Sequence, residues 1–271
     1  MRHGSLDWLG LEDKVCIITG AGGGIGTAMA MRFADAGAKV VLLDQQEPKV
    51  LKAAEAVKQK TGIEPVVQVC DVADPASVAV SARTCLEKVG PCDLLINNAA
   101  LLRPGSLEEI TLSEWNALIA VNLTGYFLCA QTFGQQMRIK SSGAMVHIAS
   151  ISGTHPQGFS GAYSISKAGV VMLSRQIAIE WGKFGIRSNV VSPGMVETEM
   201  SSKFYEEPGV RERRSAVIPM GRIGQPDDIA DAALFLSSRR ANYISGEEIT
   251  VDGGYTRMLM NLIPRPGYSQ N

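Results

Sequence analysis

The chain has 271 residues, of which 45% are hydrophobic, and its formal net charge at pH 7 is −1. This length and apolar content are typical of one α/β domain that spans residues 1–271. The balanced charge gives no indication of a nucleic-acid or anionic-membrane partner, and no apolar run approaches the roughly 20 residues that cross a bilayer.

The N-terminus and the cysteines indicate where the protein resides. Residues 1–8 contain no apolar stretch of the kind that a secretory signal needs. An odd number of cysteines without metal-ligand spacing, and three scattered histidines, predict reduced thiols and no metal site. We therefore expect a cytoplasmic protein. The five cysteines are Cys16, Cys70, Cys85, Cys92 and Cys129.

The first informative stretch is a strand pattern that runs into a glycine-rich turn. The strand ends at Thr19, Gly20, Gly24 and Gly26 follow, and a helical pattern begins at Ile25. Glycines let a backbone approach a ligand closely, and a helix N-terminus presents free N–H groups to a phosphate. A turn without a ligand is the alternative, because the spacing is not G-x-G-x-x-G. The flanking strand and helix favour a dinucleotide pyrophosphate.

Asp44 ends the second strand pattern and bears on the choice of cofactor. An acid at this place accepts hydrogen bonds from both adenosine ribose hydroxyls and repels a 2′-phosphate. Its alternative role is that of an ordinary polar residue at a strand end. Neither the glycine turn nor Gln45 and Gln46 supply an arginine or lysine for that phosphate. The sequence therefore favours NAD over NADP.

Beyond Asp44 the chain keeps alternating helical and strand patterns, which predicts a parallel sheet. Ligands bind at the carboxyl ends of such strands, so Asp71, Val72 and Asn98 are candidates for cofactor contacts. Turn formation alone is the alternative for Asn98. The strand patterns cover about residues 15–19, 39–44, 65–70, 93–97, 144–149, 187–192 and 246–251, and the helical patterns cover about 25–36, 47–60, 74–90, 113–137, 163–181 and 227–237.

Ser150, Tyr163 and Lys167 carry the predicted chemistry. Ser150 stands at the end of the fifth strand, and Tyr163 and Lys167 share one face of the next helix, four residues apart. An ammonium favours a phenolate, so Lys167 is expected to lower the pKa of Tyr163 toward neutrality. Singly, each is an ordinary residue. Beside a nucleotide site they predict proton transfer at an alcohol oxygen while a nicotinamide exchanges hydride with the carbon.

Two later segments differ from the compact pattern before them. Residues 195–219 are polar and irregular, which predicts a substrate lid. Arg211, Arg213 and Arg214 within it either attract an anionic substrate or form a solvated charged surface. Residues 255–271 contain two prolines and predict an extended tail.

Taken in order, these motifs identify a family. Over about residues 11–255 the chain resembles the short-chain dehydrogenase/reductases, and one departure is Ala100, where the family usually has glycine. The resemblance implies a Rossmann-like, doubly wound sheet of seven parallel strands with helices on both faces. The matching motifs are Thr19 to Gly26, Asn97-Asn98-Ala99, Ser150, Tyr163-x-x-x-Lys167, Pro193-Gly194 and Gly253-Gly254.

The resemblance also implies the roles of individual residues. Asn122 matches a fourth catalytic position, at a helix kink that holds a water between Lys167 and solvent. The residues alone predict an asparagine that is exposed or kinks the helix slightly. The implied catalytic set is Asn122, Ser150, Tyr163 and Lys167. The implied cofactor set is Gly20, Gly24, Ile25, Asp44, Asp71, Val72, Asn98, Tyr163, Lys167, Val196 and Thr198. The predicted substrate pocket comprises Ser150, His155, Gln157, Phe159, Tyr163, Met195, Met200 and Phe204.

The predicted activity is NAD-dependent interconversion of a ketone and a secondary alcohol, namely a small alcohol, a polyol or sugar, or a hydroxy acid. A 3-oxoacyl carrier-protein reductase is the first alternative, but such enzymes generally use NADP and dock an acidic carrier on basic residues where this chain has Ser141 and Phe184. A non-catalytic NAD sensor and a sugar-nucleotide epimerase are the others. Helices 113–137 and 162–181 are apolar beyond one face, which predicts that they are buried on more than one side. The resemblance, in which relatives pair these helices across a dimer interface and often form tetramers, implies a homotetramer.

Overall fold

The computed structural model describes residues 7–263 and residue 267. Its centre is one parallel sheet of seven strands in the order β3-β2-β1-β4-β5-β6-β7. The order reverses beside β1, which leaves a crevice between β1 and β4 at their carboxyl ends. The strands are β1 (Val15–Thr19), β2 (Lys39–Asp44), β3 (Val66–Val69), β4 (Leu94–Asn97), β5 (Gly143–Ile148), β6 (Ile186–Pro193) and β7 (Glu248–Val251).

Helices cover both faces of the sheet, so the predicted doubly wound fold is confirmed. One face carries α1, α2 and α9, and the other carries α3, α5 and α6. The helices are α1 (Gly24–Asp35), α2 (Glu47–Thr61), α3 (Pro75–Lys88), α4 (Leu112–Ile119), α5 (Gly125–Lys140), α6 (Tyr163–Trp181), α7 (Glu199–Ser202), α8 (Val210–Ala216) and α9 (Pro226–Ser237).

The strands are apolar throughout because both of their faces are buried. In β1, Cys16 and Ile18 pack under α1 and α9, while Ile17 packs toward α5 on the other side. Successive side chains of a strand point to opposite faces, so a strand covered on both sides needs a continuous apolar run. All five cysteines are free and buried in this core.

Local signals fix where several helices begin. Asp74 accepts the N–H groups of the two residues after Pro75, at 3.0 and 3.2 Å, and so caps α3. Thr111 caps α4 in a reciprocal capping box with Glu114.

Three expectations are corrected. The helix expected over 113–137 is interrupted by a π-helical turn, Ala120–Thr124, between α4 and α5. The lid is not irregular throughout, because it contains α7, a 3₁₀ turn and α8. The predicted extended tail is a 3₁₀ helix over Tyr255–Leu262, while residues 264–266 and 268–271 lie outside the described residues.

One helical run also departs from the expectation about membrane-spanning length. Leu112–Lys140 is 29 residues long with a mean hydropathy of 1.3, which by length and composition alone is enough to cross a bilayer. The core helices of soluble proteins meet the same criterion. Here Cys129, Phe133 and Met137 of this run are fully buried against the sheet.

Candidate active site

The glycine turn after β1 is packed too tightly to accept side chains. Gly20 has φ +62°, and a Cβ there would lie 2.6 Å from the Cα of Ala99. A Cβ on Gly26 would collide with the carbonyl oxygen of Gly20 and lie 2.8 Å from the Cα of Ala21. No side chain caps α1, so the N–H groups at its start are left for a ligand.

Asp44 points into this turn from the end of β2. Its Oδ2 accepts the N–H of Gly22 at 3.0 Å, and its Oδ1 accepts the N–H of Gln46 at 2.9 Å. Sequence reasoning missed Lys49, which lines the same end of the cleft from the first turn of α2 and pairs with Glu199 of the lid at 3.5 Å. The rotation of α2 about its own axis, as it packs on the sheet, directs Lys49 toward the cleft, so no short sequence motif predicts this position.

Asn98 connects the end of β4 to the glycine turn. Its Nδ2 donates to the carbonyl oxygens of Thr19 and Gly20, at 3.1 and 3.0 Å. On the lid side, a Cβ on Gly24 would lie 3.5 Å from the Cβ of Thr198. The turn is therefore braced from a neighbouring strand and faced by the first residues of the lid.

Asp71 and Val72 continue this floor beyond β3. Asp71 is exposed, and its Oδ1 accepts the N–H of Ala73 at 2.9 Å. Val72 is buried against Gly125, where a Cβ would lie 2.8 Å from its Cγ2. Both residues line the cleft that contains the glycine turn.

Tyr163 and Ser150 face each other across the same cleft. Tyr163 begins α6, and Ser150 follows β5 with its Oγ accepting the N–H of Ser152 at 3.1 Å. Burial raises the pKa of the Tyr163 phenol above 10, and a hydrogen bond with Ser150 acts in the opposite direction. The expected lowering of this pKa by Lys167 is therefore wrong for the protein by itself.

Lys167 turns its ammonium toward neutral groups. Its Nζ donates to the carbonyl oxygen of Ile148 at 2.8 Å and to the hydroxyl of Tyr126 at 3.3 Å, and it lies 5.8 Å from the centre of the Tyr163 ring. The side chain is 1% exposed. Burial lowers the pKa of Lys167 to about 7.

Tyr126 is a second residue that sequence reasoning missed. Its hydroxyl donates to the Ile148 carbonyl at 2.9 Å, and its ring stacks on His147 with centroids 6.1 Å apart. His147 is fully buried, and burial lowers its pKa to about 3. A tyrosine in an apolar helical pattern is predicted to be a core residue, so only the folded structure shows its contact with Lys167.

Asn122 lies in the π-helical turn and is fully buried. Of the exposed position and the helix distortion that the residues alone predict, the structure shows the distortion. Its Oδ1 accepts the N–H of Leu101 at 2.7 Å, and its Nδ2 donates to the Leu101 carbonyl at 2.9 Å and to the Ser166 hydroxyl at 3.3 Å. It therefore joins the loop after β4 to α6, one residue before Lys167. π-Helical turns are frequent at functional sites.

Two single backbone bridges hold the walls of the cleft. The segment after β5 is tied to the loop after β4 between Ser160 and Gly105, and the lid is tied between Val196 and Gly224. Phe159 precedes the first bridge with φ +58° and a side chain that is 79% exposed. This left-handed backbone is strained for an aromatic residue.

The lid arginines separate into two kinds. Arg211 pairs with Glu197, at 2.7 and 2.5 Å, and Arg213 pairs with Glu207 at 3.3 Å. Arg214 instead lines the cleft.

One cleft of about 1090 Å³ brings nearly all predicted site residues together. Asn122 supports it from behind, and the side chain of Met200 lies outside the described residues. Their roles remain predictions. The predicted residues that line the cleft are Gly20, Gly24, Ile25, Asp44, Asp71, Val72, Asn98, Ser150, His155, Gln157, Phe159, Tyr163, Lys167, Met195, Val196, Thr198 and Phe204.

Comparisons with known proteins give consistent matches over most of the chain. A family model described as Enoyl-(Acyl carrier protein) reductase matches residues 20–256. D-threitol dehydrogenase of Mycolicibacterium smegmatis is 39% identical over 249 residues, which cover 91% of this chain and 94% of that protein. Galactitol 2-dehydrogenase (L-tagatose-forming) of Cereibacter sphaeroides is 37% identical over 249 residues, which cover 91% and 96%.

A solved structure gives the same correspondence in three dimensions. The crystal structure of a gluconate 5-dehydrogenase from Burkholderia cenocepacia, in complex with NADP and tartrate, has a TM-score of 0.87 and 32% sequence identity. The match covers 94% of this chain and 99% of that one.

Proposed function

The chain belongs to the short-chain dehydrogenase/reductase family and is an oxidoreductase of that family, and on this premise we propose that it interconverts a secondary alcohol and its ketone with NAD as the hydride carrier. One observation carries the proposal. Tyr163, Ser150 and Lys167 meet in a single cleft with the glycine turn and Asp44. A proton-transfer group and a dinucleotide cradle in one space are what alcohol oxidation requires.

The residues present fit a dinucleotide. The turn around Gly20 has no room for a Cβ, and the uncapped start of α1 offers N–H groups to a pyrophosphate. We assign Asp44 to the adenosine ribose, and Asn98 and Thr198 to the floor and lid of the same site. When bound, the nicotinamide would supply hydride exchange with the substrate carbon. The cofactor-binding set is the predicted one, together with Lys49.

The side chains of this protein would handle the proton. Tyr163 holds its proton at neutral pH, so it would donate that proton to a ketone oxygen during reduction and take it back during oxidation. Ser150 would orient the same oxygen through its hydroxyl. Lys167, almost fully buried beside the Tyr163 ring, would gain or release its proton near pH 7. Asn122 would fix the segment on which this arrangement rests.

NAD is proposed over NADP because of the charges at the adenosine end. The Asp44 carboxylate is fixed by two N–H donors, while Lys49, the cation nearby, is engaged with Glu199. An added 2′-phosphate would meet the carboxylate first. We expect Asp44→Ala to narrow the preference of kcat/KM for NAD over NADP, and Lys49→Ala to leave it in place. Equal use of both cofactors by the unmodified protein would contradict the assignment.

The substrate is proposed to be a polyhydroxy compound or hydroxy acid. The relatives with the names given above act on threitol and galactitol, and the structural neighbour is a gluconate dehydrogenase. The cleft wall of His155, Gln157 and Phe159 offers polar atoms beside an aromatic ring. The matched family model keeps an acyl carrier-protein substrate as the alternative, but Ser141 and Phe184 supply no cation for an acidic carrier.

The test is the reaction itself in a Tyr163→Phe variant. Purified protein is assayed for NADH formation with secondary alcohols, polyols and hydroxy acids. We expect the variant to lose about 10²- to 10⁴-fold in kcat while calorimetry shows that NAD still binds. Tyr243→Phe is the matched control, because Tyr243 is fully exposed and does not line the cleft. A Tyr163→Phe variant that keeps most of its rate would refute the mechanism.

We further propose a cytoplasmic homotetramer. Ile165, Met172 and Ile179 on α6, and Ile139 on α5, are between 46% and 86% exposed. Apolar side chains on the outer sides of two neighbouring helices are an unfavourable surface for a monomer. Light scattering at micromolar concentration is expected to give the mass of four chains, and a monomer would contradict this.

A further inference from the structure

Among the lid arginines, Arg214 is the one for which the described residues supply no carboxylate. Its neighbours Arg211 and Arg213 each face a glutamate, whereas the described residues give Arg214 no carboxylate. Its guanidinium lies 4.9 Å from the centre of the Phe204 ring and 5.2 Å from that of Tyr205. It also donates from Nη1 to the Tyr205 hydroxyl at 3.3 Å. Two rings therefore hold the fork in place and leave the Nε and Nη2 hydrogens for a ligand.

The other charges that line the cleft are already committed. Asp44 and Asp71 accept backbone N–H groups at the cofactor end. Lys49 pairs with Glu199, and Lys167 donates to the Ile148 carbonyl. Of the charged residues described in this cleft, Arg214 is thus the one left for a substrate, and Phe204 beneath it belongs to the predicted substrate pocket.

We propose that Arg214 binds a carboxylate of the substrate, so that the preferred alcohol is a hydroxy acid and not a neutral polyol. The inference rests on the proposed function and narrows its substrate class. A guanidinium fork matches a carboxylate with two parallel N–H···O bonds. Partial burial on aromatic rings keeps the fork from rotating freely, which reduces the entropy lost on binding.

The first test compares matched substrates that differ at one carbon. Gluconate and sorbitol are assayed with the unmodified enzyme, Arg214→Gln and Arg213→Gln. We expect gluconate to be preferred, and Arg214→Gln to lower kcat/KM for gluconate about 10- to 100-fold, mainly through KM. Sorbitol is expected to change by less than about threefold, and Arg213→Gln to change neither substrate. An equal loss on both substrates would mean that Arg214 only supports the lid, and would overturn the proposal.

The second test does not depend on turnover. Glycerate, threonate and gluconate are titrated calorimetrically into the NAD-saturated enzyme and into Arg214→Gln. Binding that is lost with Arg214→Gln upholds the carboxylate site even if no alcohol is oxidised, in which case the proposed function fails by itself. Oxidation of neutral polyols without any acid binding overturns the carboxylate site alone. Sorbitol 6-phosphate is the remaining arm: Arg214-dependent binding of this ester and of none of the acids would assign a phosphate and overturn the proposal.

Discussion

Replacing Lys167 by methionine should change how the stability of the protein depends on pH. Lys167 is almost fully buried, and its Nζ meets a carbonyl and a hydroxyl but no carboxylate. Burial lowers its pKa from the 10.5 of an ordinary lysine to about 7. At about 1.4 kcal/mol per pKa unit, this lowering means that folding disfavours the charged form of Lys167 by about 5 kcal/mol.

The sign follows from proton linkage. Between about pH 7 and 10.5 the unfolded chain holds the lysine proton and the folded chain does not, so stability rises with pH in this window. Below this pH window both the folded and the unfolded chain carry the proton, and the full free-energy cost of burying the charged lysine is present. Above the window the lysine is neutral in both states, and that cost disappears. Between pH 7 and pH 9.5, the free energy of unfolding of the unmodified protein should therefore rise by about 3 kcal/mol relative to that of Lys167→Met.

Urea unfolding of both proteins at equal concentration, without cofactor, measures this difference. Methionine also removes one of the two donors to the Ile148 carbonyl, which keeps its bond from the Tyr126 hydroxyl. This loss costs about 1 kcal/mol at every pH and shifts the whole curve without tilting it. The slope is therefore the diagnostic quantity. A stability difference that stays constant within about 0.5 kcal/mol over this range would refute the account of Lys167 as a buried amine with a lowered pKa.

Two further predictions concern the packing around the site. Gly26→Ala should lower the free energy of unfolding by about 1–3 kcal/mol, because the added Cβ meets the backbone of Gly20 and Ala21. Gly24→Ala should not lower it, because the nearest atoms to its Cβ are 3.5 Å away. Thermal unfolding without cofactor compares the two variants, and equal melting temperatures would contradict the argument. Tyr126→Phe should cost about 1 kcal/mol and lower the Lys167 pKa further, because the ammonium loses an acceptor; an unchanged pH window in the Lys167 experiment would contradict this.

The sheet was predictable because its strands are continuous apolar runs. Residues 39–44 were expected as a strand and are β2, and α6 covers the expected 163–181, since a period near 3.6 leaves little choice. The glycine turn, Asp44 and Asn98 were found by position, because the carboxyl ends of parallel strands converge on one edge.

Features that depend on tertiary contact were not predictable. The π-helical turn at Ala120–Thr124 is stabilised by bonds from Asn122 to Leu101 and Ser166, which lie on other segments. The direction of the Lys167 ammonium depends on Tyr126, 41 residues earlier. Likewise, α8 contains a run of charged residues with little apolar periodicity, so its local sequence does not predict a helix.

The two backbone bridges at Ser160 and Val196 indicate how this scaffold could acquire new specificities. Each wall of the substrate pocket is fastened by one such bridge, while the floor under the dinucleotide is built from strand ends where even a methyl group collides. Exchange of the segment after β5 would therefore leave the glycine turn, Asp44 and Asn98 in place, whereas exchange of the lid would also change Val196 and Thr198, which are assigned to the cofactor. Evolution and directed recombination could therefore vary the substrate through the segment after β5, with the residues proposed to hold the dinucleotide unchanged.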